Sequence, residues 1–161
     1  MHATHTTTAT VLRDAVHYLT QYGLHRERGL VGTLTNPHLD HGPLDVCAAL
    51  YMAATSSPLP PVFSSHTPEG EQAAIDLIKA HPQAMAAIHA VWNGLDSKIT
   101  EADLSEETPT VDGPDEWIDR VSYWAVTAPA SWEEPPTLLE VIGRLVRTAE
   151  ALEQADRTLA A

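Results

Sequence analysis

Asn36 to Thr55 runs NPHLDHGPLDVCAALYMAAT, a polar loop that passes at Asp45 into an unbroken apolar run. Aspartate is a favoured helix N-cap, because its side-chain oxygen accepts one of the free N–H groups of the first turn. Gly42-Pro43 supplies the turn before it. The spacing therefore predicts a buried helix, VCAALYMAAT, entered from a polar loop. The same fifteen residues up to Leu50 hold two histidines, two aspartates and the only cysteine of the chain. His38, Asp40, His41, Asp45 and Cys47 are all ligand types for a divalent metal, with imidazole and carboxylate as the first donors. Their spacing matches no standard zinc pattern, since there is no second cysteine and no H-x-x-x-H. Cys47 also lies near a helix N-terminus, which lowers a thiol pKa, and His38 or His41 could serve as its base. The simpler use of Asp45 is as a cap, and that of Cys47 is as a small buried hydrophobe.

Outward from this stretch, helical signals recur and strand signals are few. Of 161 residues, 43% are apolar, and alanine, leucine and valine dominate them, which favours helices over sheets. Leu12, Ala15, Val16 and Leu19 form a helical stripe ended by Gly23, a residue suited to the C′ position. Leu30 to Leu34 could make a short extended piece, one edge of a hairpin. Pro58, Pro60 and Pro61 predict a polyproline-like connector. Thr67-Pro68 and Pro82 read as helix starts, and the second of these helices presents Met85, Ile88, Trp92 and Leu95 on one face. A short helical turn is expected at Thr100 to Asp103. Pro114 starts a helix through Val126. Thr137 and Glu140 make a capping box before a last helix with the stripe Leu138, Ile142, Leu145, Ala149 and Leu152. The expected architecture is all-α, a single-domain bundle of about six helices with Pro-rich loops. It spans residues 9–161 behind a disordered Thr-rich tail, residues 1–8.

Charge separates the halves. Residues 1–68 hold four acids and three bases, whereas residues 69–161 hold eighteen acids and six bases, within a net charge of −13. Glu101, Asp103, Glu106, Glu107, Asp112, Asp115, Glu116 and Asp119 fall in one segment that has no Lys or Arg. Such a surface repels phosphate, so direct nucleic-acid or anionic-membrane binding is not expected. It fits a protein partner with a basic surface, a mimic of a nucleic-acid backbone, or a solvated face. Trp132, in the Pro-rich stretch ahead of the last helix, suits an interaction anchor. The other aromatics, Trp92, Trp117, Tyr123 and Trp124, lie at helical spacings that suit a core or a pocket. His89 and Asn93, one turn apart, could line a pocket with Trp92 beside them. Arg144, Arg147 and Arg157 alternate with Glu140, Glu150 and Glu153, a pattern for ion pairs within the helix.

One cysteine forbids an internal disulfide. The N-terminus lacks a basic region followed by an apolar run. No stretch approaches the roughly eighteen apolar residues of a spanning helix. A cytoplasmic protein without a membrane span is expected. Phosphate-binding glycine loops, nucleophile elbows and H-E-x-x-H are absent, so a non-enzymatic protein acting through protein contacts is the leading expectation, regulatory or of phage or plasmid origin. It would need no cofactor, and a homodimer through the last helix is compatible with it. The alternatives are a metal- or small-ligand-binding protein using the 38–47 loop, and the acidic mimic.

VLRDAVHYLTQYGL, then GPLDVCAALYMAA, then a Trp-containing segment before a Leu/Val-rich helix, resembles a group of small, uncharacterised actinobacterial helical proteins, a domain-of-unknown-function family. The resemblance covers about half the chain. Leu24 stands where that group has a Trp after the glycine, and Trp92-Asn93 or Trp124-Ala125 stands for its Trp-Asn pair. It implies a helical fold and a structural use of Cys47, and no activity.

Overall fold

The computed structural model describes residues 2–95 and 113–161. Six α-helices and one 3-10 turn account for its regular structure: α1 (His2–Tyr22), α2 (Val46–Thr55), the 3-10 turn Pro61–Ser64, α3 (Pro68–Lys79), α4 (Pro82–Asn93), α5 (Pro114–Val126) and α6 (Leu138–Ala160). Among the described residues there is no strand, only isolated bridges from Leu44 to Leu24 and to Val31. The hairpin edge expected at Leu30–Leu34 is thus reduced to one paired residue. No described helix is long and apolar enough to cross a membrane.

α2 sits at the centre. Val46 to Ala53 are all buried, and α1, α4, α5 and α3 each pack against it. A helix apolar on every side has nowhere else to go. Its start is chemical: the Asp45 carboxylate accepts the Cys47 N–H at 2.7 Å. The other predicted starts follow the same local logic. Thr67 accepts from the Gly70 N–H with Pro68 behind it, Pro82 and Pro114 open α4 and α5, and Thr137 and Glu140 complete the capping box of α6. Gly23 ends α1 at φ +88°, a conformation costly for residues with a Cβ, and its N–H bonds the Leu19 carbonyl at 2.8 Å.

α1 and α6 form the most extensive helix pair and run antiparallel. Arg13 meets Glu153 in the second half of α6, while Arg26, beyond the end of α1, donates to the Pro136 carbonyl just before α6 begins. α1 begins at His2, within the stretch expected as a tail at residues 1–8, and Thr8 is only 6% exposed. The buried seam of α6 is Val141, Leu145 and Ala149, flanked by Leu138 and Leu152, so Val141 takes the place expected for Ile142. The Pro-rich connector is likewise more than an extended spacer. Its 3-10 turn buries Phe63 to 1% exposure, with the ring stacked on Tyr51 at 4.9 Å.

Candidate functional site

The loop before α2 has a buried stem and an exposed tip. Leu44 bonds Gly23 and His25 on one side, and its neighbours Pro43 and Asp45 bond Gly32 and Leu30 on the other, all through backbone hydrogen bonds of 2.7–2.9 Å. A Cβ at Gly42 would collide with the Gly32 carbonyl, so that close approach requires glycine. At the tip, His38 and Asp40 are exposed. The His38 N–H caps Asn36 Oδ1 at 3.0 Å. His41 turns inward instead: its ring stacks on Tyr22 at 4.0 Å, and Nδ1–H donates to the Gly42 carbonyl at 3.0 Å.

Cys47 is on the far side of the α2 start, fully buried. Its thiol donates to the Ile118 carbonyl at 3.7 Å, and the Ser122 hydroxyl lies 3.4 Å from Sγ. Ser122 also donates to Asp45 Oδ2 at 2.9 Å, tying α5 to the cap of α2. The proposed metal set His38, Asp40, His41 and Cys47 therefore does not converge, and among the described residues no three His, Cys, Asp or Glu are placed to hold an ion. The reason is Asp45: capping α2 commits Cys47 to the core, while His38 stays exposed and His41 turns toward Tyr22. Nor is Cys47 an activated nucleophile. Burial and the nearby Asp45 carboxylate push its thiol well above the ordinary value, which keeps it protonated. Burial raises the Asp45 carboxyl too, against the opposing pull of the Cys47 N–H, Ser122 and His25.

Five of the eight acids of the acidic segment, Glu101, Asp103, Glu106, Glu107 and Asp112, lie outside the described residues, as does the turn expected at Thr100–Asp103. The other three start α5. Asp115 pairs with Lys79 of α3 at 3.1 Å and Glu116 with Arg120 one turn on, so both have partners within the chain. Asp119 is exposed, and partial burial together with Asp115 and Glu116 raises its carboxyl above the usual range. Trp132 stands apart, 85% exposed, in a loop turned by the Glu133 N–H to Ala130 carbonyl bond. Trp92, Trp117 and Trp124 pack against the core.

A cleft of about 600 Å³ opens where α4, α6 and the first half of α1 meet. Among the described residues its polar lining is His89 and Asn93 from α4, Arg144, Arg147 and Thr148 from α6, and Thr8 from α1. The space exists because the facing positions are small: Ala86, Ala90 and Gly94 recur every four residues along α4, opposite Ala151. Arg144 is fixed in place, since Nη1 donates to the Gly94 carbonyl at 2.7 Å, where the exposed carbonyls of the α4 C-terminus favour a cation. Arg147 folds back along α6, so that a Cβ added at Gly143 would lie 3.1 Å from its Nη1. His89 forms a wall of the cleft, held between Trp117 at 4.1 Å and Trp92 at 5.6 Å, with Asn93 at 3.5 Å from its Nε2.

The pocket reading of His89 and Asn93 with Trp92 beside them thus has a place in the structure. Where ion pairs along α6 were expected, Arg144 reaches the Gly94 carbonyl at the end of α4, Arg157 bonds Gln154, and Glu153 pairs with Arg13 across helices. Sequence reasoning missed the meeting of the two groups. The available signal was an H-x-x-x-N step on a small-residue face and an R-x-x-R step on another helix. No protein-family model, curated protein or solved structure matches this chain.

Proposed function

We infer that this chain is a non-enzymatic binding protein whose main work is contact with a protein partner carrying a basic surface. Trp132 carries the reading. A tryptophan left 85% exposed gives up a large hydrophobic contribution in the free protein, and buried aromatic anchors dominate protein interfaces. Its immediate neighbours Glu133 and Glu134 are exposed as well, and Leu139, in the first turn of α6, is 78% exposed. The partner's chemistry follows from charge: within a net −13, carboxylates flank the apolar anchor and would meet Lys or Arg. The buried, protonated state of Cys47 adds nothing catalytic to this surface.

The test is a pull-down from the source cells with the wild-type chain and Trp132→Ala side by side, at low and high salt. A basic protein should be retained by the wild type at low salt, released at high salt and lost with Trp132→Ala. Equal capture by both chains, or capture indifferent to salt, would reject the reading.

A further inference from the structure

Trp132 stands clear of its own protein. At 85% exposure both faces of the indole meet water. A flat partner surface would cover one face and leave the other wet. A concave site desolvates both, and fully desolvated aromatics are the ones that dominate an interface. We propose that the turn around Trp132 is a preformed plug, received by the partner protein in an apolar pocket whose rim carries Lys or Arg. This rests on the reading of Trp132 as the contact with a basic partner and adds the shape of that contact: this chain inserts and the partner encloses.

The plug is built from local chemistry. Ala130 and Ser131, just before the ring, are too small to cover an indole. The Glu133 N–H bonds the Ala130 carbonyl at 3.0 Å, closing a turn that contains Trp132. Pro129, Pro135 and Pro136 fix φ on either side and remove alternative conformations of the free loop. The loop is suspended between two helix ends, Val126 of α5 and the capping box at Thr137 that starts α6. Arg26, from beyond the end of α1, braces it by donating from Nη2 to the Pro136 carbonyl at 2.6 Å. A loop held in this way loses little freedom on binding. The rim follows from charge. Glu133 and Glu134 directly follow the tryptophan and are exposed. Their carboxylates stand at the base of the plug, where the edge of a pocket would lie, and an edge carrying Lys or Arg complements them.

The experiment uses two cyclic sugar hosts as pockets of defined chemistry. β-Cyclodextrin has an apolar cavity that accepts an indole and a neutral rim; its derivative with an amino group on every sugar has a cationic rim. Each is titrated at low salt into the isotope-labelled full chain and followed by NMR. Both should shift the Trp132 indole N–H and the amides of residues 130–134 saturably. The amino host should bind about threefold or more tighter, the gain expected of exposed ion pairs. High salt should remove that advantage. So should Glu133→Gln combined with Glu134→Gln, which should leave the neutral host unaffected. Trp132→Ala should lose both hosts while keeping the wild-type thermal midpoint, and the amide of Tyr123, itself 48% exposed, should not respond. In the free chain, the heteronuclear NOE of residues 130–136 should match that of α5 and α6, and Arg26→Gln should lower it and weaken both hosts. The proposal is overturned if neither host shifts Trp132, if Tyr123 responds as strongly, or if the amino host binds no tighter than the neutral one. It is equally overturned if residues 130–136 are as loose as a chain terminus. Any of these results beside a pull-down that still depends on Trp132 would leave the basic partner standing and reject the plug. Hosts that bind as expected beside a pull-down indifferent to Trp132 would reject the partner reading itself.

Discussion

Asp45 is a carboxylate held at 5% exposure because it performs two structural tasks at once, capping α2 and anchoring Ser122 of α5. Asp45→Ala removes both and leaves a buried N–H and hydroxyl without their acceptor, so it should cost about 1–3 kcal/mol in urea unfolding. Asp45→Asn keeps an oxygen for the Cys47 N–H and cannot ionise. The raised carboxyl of the folded state means that the native protein holds the Asp45 proton more tightly than the unfolded chain does. Its contribution to stability is full below the unfolded value, ordinarily 3.8, and is lost as pH rises through the folded value. Relative to wild type, Asp45→Asn should therefore gain stability as pH rises from the unfolded carboxyl value through the raised folded one; a difference that is constant with pH would contradict the burial argument. For Cys47, a thiol reagent should label the protein only as it unfolds, and labelling in native buffer at the rate of a free thiol would show that the start of α2 opens. The cap was legible because capping chemistry is local. Whether His38, Asp40, His41 and Cys47 meet was not, since it depends on which way each side chain leaves the stem of the loop.

Among the helices, α6 gives the clearest test of packing against periodicity. Leu138, Ile142, Leu145, Ala149 and Leu152 satisfy a helical stripe, yet Val141 is buried in the structure and Ile142 is only partly so. α6 packs against α1 and also α4, so its buried face is turned from the one that spacing alone selects. Leu145→Ala should cost about 2–5 kcal/mol, as for a fully buried leucine, and Val141→Ala should cost clearly more than Ile142→Ala. The reverse order in denaturant melts would put Ile142 back in the seam. The beginnings of α2 to α6 were readable from Asp45, Thr67, Pro68, Pro82, Pro114 and the Thr137–Glu140 pair, each of which acts on its own backbone. The start of α1 was not, because HATHTTT has weak helical preference and only the burial of Thr8 and Ala9 marks the end of that stretch. The cleft was half legible because it depends on packing. His89 and Asn93 announce themselves on one helix, but about fifty residues separate Gly94 from Arg144, and only the packing of α4 on α6 unites them.

At the scale of the molecule, the net charge of −13 makes the stability of the fold and its hold on a basic partner respond to salt in opposite ways. Eighteen acids against six bases after residue 68 repel one another across a surface this small, and that repulsion opposes compaction. Pairs such as Lys79–Asp115 and Arg28–Glu71 act against it, but each is exposed on at least one side, where an ion pair contributes only about 0–1 kcal/mol. Repulsion should therefore dominate, and raising the ionic strength, which shortens the screening length to about 8–10 Å and below, should raise the thermal midpoint. The same salt should loosen any basic protein held at Trp132, because that contact rests on attraction across solvent. Thermal melts and pull-downs over one salt series measure the two effects side by side. A midpoint that falls with salt would mean that the ion pairs outweigh the repulsion.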